Sequence, residues 1–481
     1  MVPAELMKIA YYSSREKRGK MRSQEWKRQD LYKLESKYCS YGDTVHYAAA
    51  PPLFNSCEGS WLFDMKGTPY LDMQMWYSAV NFGYRNKEIE AAHNLQMSTL
   101  PQLASQYLHK EKILLATSIA KATQKSFGTK GRIHFNVGGA QAVEDSLKLI
   151  RNYKQGKSLM FAFMGGYHGR TLATSELTSS FRYRKRFGHF SNRAYFVPFP
   201  YCFRCFYEET RSKCNYECVK QFERLFETEY FGIWDMKGNE AEYAAFYIEP
   251  VQATGGYMIP PPEYFTRLSA VLQRYGILLV DDEIQMGFYR TGKLWAAEHF
   301  GIKPDVIVFA KSLTNGLNPL SGLWAREEMI SPHVFPPGST HSTFSSNPLG
   351  TAAGLATMEY LRNNDFETIV PEKGAYLLSG LRKMQEKCRN IGDVDGLGLA
   401  LRIEMTKPDG FTPDRKLTDV IFQEGIKGDI KFGSKKYGLV LDVGGYYKNA
   451  FTLAPALTIT YDEMDLFLNL FGELLKRCGC Q

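Results

Sequence analysis

Two apolar runs in this sequence end in groups that can do chemistry together. Ile277-Leu278-Leu279-Val280 leads straight into Asp281-Asp282-Glu283, and Val306-Ile307-Val308-Phe309-Ala310 leads straight into Lys311. Short runs rich in β-branched residues read as buried strands of a parallel sheet. In open α/β sheets, ligands bind just beyond the carboxyl ends of the strands. The two ends therefore hand a carboxylate and an amine to one crevice. One reading of such a pair is a structural ion pair. The other is a pyridoxal phosphate (PLP) site, in which the lysine forms a Schiff base with the cofactor aldehyde. The aspartate then keeps the pyridine nitrogen protonated, so that the ring accepts electrons from the substrate carbon.

The residues around the two ends favour the second reading. Asp282-Glu283-Ile284-Gln285-Met286-Gly287-Phe288-Tyr289-Arg290-Thr291-Gly292-Lys293, then Pro304-Asp305-Val306, then Ala310-Lys311-Ser312 resembles the signature of class III PLP-dependent aminotransferases, enzymes of fold type I. The resemblance makes Lys311 the Schiff-base lysine and Asp282 the pyridine-nitrogen partner. It puts Ile284 and Gln285 against the cofactor, Gln285 near its phenolic oxygen. It implies an α/β fold in which a large domain holds a mainly parallel sheet between helices, with a small α+β domain beside it.

Four further stretches follow in the family's order. Arg132-Ile133-His134-Phe135 reads as a strand, Val137-Gly138-Gly139-Ala140 as a turn of small residues, and Val143, Leu147 and Ile150 recur at helical spacing. A strand, a glycine turn and a helix start make an anion site, because free backbone N–H groups and the helix dipole favour phosphate. A plain tight turn accounts for the glycines equally well. The stretch is similar to the family's phosphate loop, with Gln141 where an acid is common. Gly165-Gly166-Tyr167-His168-Gly169-Arg170-Thr171 carries the family's aromatic-His-Gly-Arg-Thr word. It implies that Tyr167 stacks on the cofactor and that His168 belongs to its site. Arg170 is a candidate to hold a substrate carboxylate with two hydrogen bonds or to make a structural ion pair. Glu249, at the end of Ala244-Ala245-Phe246-Tyr247-Ile248, is expected to support the Asp282 region. Gly338-Ser339-Thr340-His341-Ser342-Thr343-Phe344-Ser345-Ser346-Asn347-Pro348 resembles the loop through which Thr343 reaches the cofactor phosphate of a partner subunit, with Ser345 and Ser346 in place of the usual glycines.

The substrate end is less regular. Trp76 and Tyr77 lie in the loop Met73–Gly83, which lines the substrate mouth in relatives; core packing is the competing reading for both. In 4-aminobutyrate and ornithine aminotransferases a glutamate stands where this chain has Thr254, and it pairs with an arginine where this chain has Thr452. Both halves of that pair are absent together, which avoids an unpaired buried charge.

Length and composition fit this picture. The 481 residues, 44% hydrophobic and 23% charged, are ordinary for a soluble globular enzyme. The expected divisions are an N-terminal arm and part of the small domain over 1–84, a large PLP-binding domain over 85–345, and a C-terminal small domain over 346–481. No run of about 18 apolar residues points to a membrane span, and no signal-peptide pattern is visible, so a cytoplasmic location is expected. Part of the net charge of +8 comes from Arg15, Lys17, Arg18, Lys20, Arg22, Lys27 and Arg28. With Glu16, Glu25 and Asp30 among them, this region reads as a solvated amphipathic helix capping a dimer, not as a nucleic-acid arm. Cys202, Cys205, Cys214 and Cys218, in an insert over about 200–231, have spacing that could hold zinc or could leave free buried thiols. No metal is assigned, and nine cysteines without a secretion signal argue against a disulfide framework.

The activity implied is transfer of an amino group from an ω-amino acid or amine to a 2-oxo acid, in a homodimer with shared active sites and no nucleic-acid or membrane partner. Two rivals stand beside it. PLP-dependent racemases, epimerases and aminomutases share the scaffold and need no oxo acid. A basic binding protein on a retired scaffold predicts a degraded site, whereas Lys311, Asp282, Gln285 and Thr343 are all present.

Overall fold

A computed structural model describes residues 27–40, 42, 51–188, 190 and 193–480 of the chain. The basic positions Arg15, Lys17, Arg18, Lys20 and Arg22 lie outside the described residues. The helix Arg28–Tyr38 falls within them and has no buried residue.

The centre of the molecule is a seven-stranded sheet. In chain order its strands are β1 (Gly131–Asn136), β2 (Leu159–Phe163), β3 (Tyr195–Val197), β4 (Tyr243–Ile248), β5 (Leu278–Asp282), β6 (Val306–Phe309) and β7 (Ser321–Arg326). Their order across the sheet is β1-β7-β6-β5-β4-β2-β3. Every neighbouring pair is parallel except the two made by β7, which runs antiparallel to β6 and β1. All residues of β5 and β6 are buried. That is why these strands read as continuous apolar runs and not as alternation: helices cover both faces. The helix Gly139–Tyr153 covers one face through Ala142, Val143, Leu147 and Ile150. On the other face, Phe161 and Phe246 pack with Phe222 and Phe226.

Around this layer the chain closes on itself. The hairpin strands Phe54–Glu58, Trp61–Asp64 and Pro69–Asp72 form one sheet with Lys435–Val440 and Ile430–Phe432. Pro69–Asp72 pairs parallel with Lys435–Val440 across more than 360 residues of chain. A four-stranded antiparallel sheet of Ile391–Leu397, Ala400–Met405, Ala450–Leu453 and Asp442–Gly444 lies under the helix Phe366–Gln385, while the helix Tyr461–Arg477 packs on Ile430–Phe432 and Lys435–Val440 of the other sheet and touches this one through Phe471 against Phe451. Tyr461–Arg477 starts with a capping box, Thr460 accepting from the Glu463 N–H and Glu463 from the Thr460 N–H.

The Cys-rich insert packs through Tyr201, which bonds Glu404, and Arg204, which bonds the same carboxylate at 2.8 Å. All nine cysteines are free thiols. Cys202, Cys205, Cys214 and Cys218 line one small cavity of about 30 Å³. No group of three or more His, Cys, Asp or Glu among the described residues stands at metal-holding spacing. No described helix is long and apolar enough to cross a membrane.

Candidate active site

The carboxyl ends of β4, β5 and β6 open into one cavity of about 790 Å³. Asp282 is the last residue of β5 and stands opposite Val308 in the parallel register, so Lys311 emerges just beyond the end of the neighbouring strand, at the start of the turn Lys311–Thr314. Both side chains line the cavity. Lys311 Nζ donates to Gln285 Oε1 at 2.9 Å, and Gln285 Nε2 donates to the buried Tyr257 hydroxyl at 2.8 Å. Lys311 has a φ of +45°, in the left-handed region. Such strain in a non-glycine residue persists only where the surroundings over-determine it, and it collects at functional sites. Burial lowers the Lys311 pKa to about 8, against the opposing charges of Asp282, Glu249 and Asp442.

Asp282 is held from two sides. Its Oδ2 lies 2.7 Å from His168 Nδ1, and its Oδ1 accepts the Ile284 N–H at 3.1 Å. His168 is itself buried, with its backbone N–H on Thr178 Oγ1 at 3.0 Å. Burial disfavours a charged imidazole, but the hydrogen bond and charge of Asp282, with Glu249 behind it, lift the His168 pKa above its ordinary value. Glu249, one residue past β4, accepts the backbone N–H groups of Tyr167 at 3.0 Å and Ala253 at 3.2 Å. Burial pushes its carboxyl up to about 7, with His168 opposing.

The glycine turn closes the far side. Gly138 is extended, with φ −126° and ψ 152°, and the helix begins at Gly139. No side chain caps that helix, and no acid lies in its first turn, so its N-terminal N–H groups and dipole are free to favour an anion. A Cβ on Gly138 would meet nothing within 4 Å, whereas one on Gly139 would come within 3.0 Å of Ile284 Cδ1. The open space beside these glycines is part of the cavity that Ala140 and Ile284 also line. Ser321 Oγ anchors the turn by donating to the Gly138 carbonyl at 2.8 Å.

Tyr167 and Arg170 line the same cavity. The Arg170 guanidinium lies over the Tyr183 ring at 4.6 Å and over Tyr167 at 5.7 Å. It makes cation–π contacts and has no ion-pair partner among the described residues. Trp76 lines the cavity while remaining 58% exposed. It belongs to a left-handed turn in which Met75, Trp76, Tyr77 and Ser78 have φ of +45°, +52°, +56° and +63°. Tyr77, expected beside it, does not reach the lining. Thr343 is exposed and stands outside the cavity of its own chain. Sequence reasoning did not find Tyr257, which steadies Gln285, or Asn318, Pro319 and Leu320, which form part of the wall. Neither carries a residue type that signals chemistry by itself.

Residues 45–475 match the family described as Aminotransferase class-III. The chain belongs to the class III aminotransferases. The members of this family depend on PLP. The residues present here fit that group: a free helix start for the phosphate, a buried carboxylate for the ring nitrogen, and a lysine amine, all lining one cavity. Among relatives, a leucine/methionine racemase from Thermococcus litoralis is 30% identical over 418 residues, covering 86% of this chain and 88% of its own. A 5-aminovalerate aminotransferase from Pseudomonas putida is 29% identical, covering 88% of this chain and 93% of its own. A Bacillus anthracis aminotransferase structure superposes with a TM-score of 0.81 at 26% identity, covering 93% of this class III chain and 98% of its own.

Proposed function

We propose that this chain transfers the amino group of an ω-amino acid or amine to a 2-oxo acid, with Lys311 as the covalent and proton-transferring residue. The observation that carries the reading is the shared cavity of Lys311, hydrogen-bonded at 2.9 Å to Gln285, and Asp282, paired at 2.7 Å with His168. The cofactor supplies an electron sink next to the substrate carbon. Asp282 holds a proton donor's counter-charge at the ring nitrogen, and His168 fixes the carboxylate in place from behind. The N–H groups of Gly139 and Ala140 hold the phosphate, and Tyr167 and Ile284 confine the ring. Lys311 Nζ takes the proton from the substrate carbon and returns it to the cofactor side; a pKa near 8 suits a group that must do both close to neutral pH. Arg170 holds the carboxylate of the oxo acid or of an ω-amino acid.

We further propose a homodimer in which Thr343 completes the partner's phosphate site. Thr343 is exposed, the adjacent Phe344 is 69% exposed, and Leu108 is 75% exposed, an apolar surface of the kind that subunit contact covers. Nine free thiols fit a reducing compartment such as the cytoplasm.

The second reading is racemisation, favoured by the racemase relative and by Thr254 and Thr452 where a glutamate–arginine pair stands in some aminotransferases. One experiment decides. Purified PLP-loaded protein is given a panel of amines, each with and without a 2-oxo acid. Continuous turnover that requires the oxo acid, and is abolished in Lys311→Ala, supports transfer. Loss of optical activity of a single amino acid without any oxo acid supports the second reading.

A further inference from the structure

The reacting amine is met directly by one amide. Lys311 Nζ donates to Gln285 Oε1 at 2.9 Å, and no described carboxylate comes within the 4 Å of an ion pair with it. Asp282, Glu249 and Asp442 act on its charge from farther away. An ammonium has three donors and no acceptor, so only the oxygen side of the Gln285 amide can meet it. What keeps that side forward lies behind it: Gln285 Nε2 donates to the Tyr257 hydroxyl at 2.8 Å.

The backbone is bent to bring Tyr257 there. Its φ is +52°, in the left-handed region, and it follows Gly256 at φ +114°. Gln252 and Met258 exchange backbone hydrogen bonds of 3.1 Å, and the Tyr257 N–H donates to the Ala253 carbonyl at 3.2 Å. The Ala253 N–H in turn donates to Glu249 Oε1 at 3.2 Å. Strain of this kind in a non-glycine residue collects at functional sites. Tyr257 is buried, and burial pushes its phenol up to about 12, so it stays a neutral hydroxyl near neutral pH. A hydroxyl donates one hydrogen and accepts others. Ser78 Oγ is buried without a hydrogen-bond partner and lies close enough to act on the Tyr257 hydroxyl, which makes it the acceptor available for that hydrogen. The phenol oxygen is then left to accept from Gln285.

We propose that Tyr257 is a positioning residue for the reaction: by holding the Gln285 amide with its oxygen toward Lys311, it raises the proton affinity of the reacting amine. This deepens the reading of Lys311 as the reacting residue and rests on it. Burial takes proton affinity from an amine, and a hydrogen bond to its charged form returns part of it. Without the hydroxyl, the amide is free to turn and offer N–H groups to the amine, which favours the neutral form.

The test is the pH dependence of PLP attachment to the cofactor-free protein, followed by stopped-flow absorbance. Wild type is compared with Tyr257→Phe, Gln285→Leu and the double variant. Attachment needs the neutral amine, so the wild-type rate has its midpoint at about pH 8. In Tyr257→Phe the midpoint should fall by about one pH unit, the difference between a hydrogen bond to a charged group and one to a neutral group. Attachment at pH 7 should then be about fivefold faster than in wild type. Gln285→Leu should lower the midpoint as well, and the double variant should go no further, because both substitutions remove one interaction. A purely structural role for Tyr257 would slow attachment at every pH and leave the midpoint in place. Circular dichroism checks folding. Should Tyr257→Phe not fold, Ser78→Ala decides: it frees the Tyr257 hydrogen to draw the amide oxygen away from Lys311, so a lowered midpoint supports the inference and an unmoved one overturns it. An unmoved or raised midpoint in Tyr257→Phe, or shifts that add in the double variant, overturns the inference and leaves the role of Lys311 standing. A wild type that attaches no PLP at Lys311 overturns that role, and this inference with it.

Discussion

Asp282→Asn isolates the effect of one buried charge. The substitution preserves shape and leaves an amide oxygen that can accept from His168 Nδ1, which lies 2.7 Å from Asp282 Oδ2. It removes the negative charge that raises the His168 pKa against its burial. A hydrogen bond to a charged group contributes about 1.5–3 kcal/mol and a neutral one about 0.5–1.5, so the expected loss of stability is about 1–2 kcal/mol. The sign with pH follows from the direction of the shift. A histidine whose folded pKa is raised contributes fully below the unfolded value of about 6.5 and loses that contribution as pH rises through the folded value. Urea unfolding of the cofactor-free protein, followed by tryptophan fluorescence, should therefore separate wild type from variant most at pH 6 and least at pH 9. Turnover of the loaded enzyme should fall roughly 10²- to 10³-fold, the range for losing one preorganised electrostatic group. A stability gap that widens with pH, or no gap at pH 6, refutes the pairing.

Other consequences follow from the same cavity. Covalent attachment of PLP needs the neutral Lys311 amine; with a pKa of about 8, the neutral fraction and the attachment rate should rise about tenfold from pH 7 to pH 9 and then level off, which stopped-flow absorbance reads directly. Gly139→Val puts atoms where a Cβ already comes within 3.0 Å of Ile284 Cδ1. Overpacking of about 1–3 kcal/mol should weaken PLP binding roughly five- to a hundredfold by equilibrium titration. Arg170→Met keeps an unbranched side chain but loses the guanidinium that lies over Tyr183. It should raise the KM for the oxo acid about tenfold or more while leaving the lysine–PLP absorbance in place.

Much of the sheet was legible because burial on both faces turns a strand into an unbroken apolar run. Ile277 to Val280 and Val306 to Phe309 could be read as neighbours whose ends share a crevice, and the register of Asp282 with Val308 places them so. The glycine turn was legible for a similar local reason: a strand, two glycines and helical spacing sit within 20 residues. What could not be read depends on contacts between distant parts of the chain. Nothing in Met75-Trp76-Tyr77-Ser78 announces four left-handed residues, since glycine, the usual marker of that conformation, is absent. Tertiary contacts impose it: the Met73 N–H donates to the Val440 carbonyl at 3.0 Å, and the Met73 carbonyl accepts the Ala454 N–H at 2.7 Å. The pairing of Asp442 with Gln74 and Thr452 was equally hidden, because its strand has three residues and these partners meet only in the fold. Tyr257 was missed for the same reason; only the folded chain brings its hydroxyl to Gln285. The cofactor end of the cavity is thus written in local motifs, whereas Trp76 and Ala79 reach its wall from a turn whose backbone conformation only the fold sets.

The most direct measurement is to load the purified protein with PLP, reduce it with borohydride so that any lysine–cofactor bond becomes permanent, and map the added mass by peptide sequencing. The account predicts the modification on Lys311 and on no other of the chain's lysines. A modification at a different lysine, or a protein that takes up no mass at all, would contradict it.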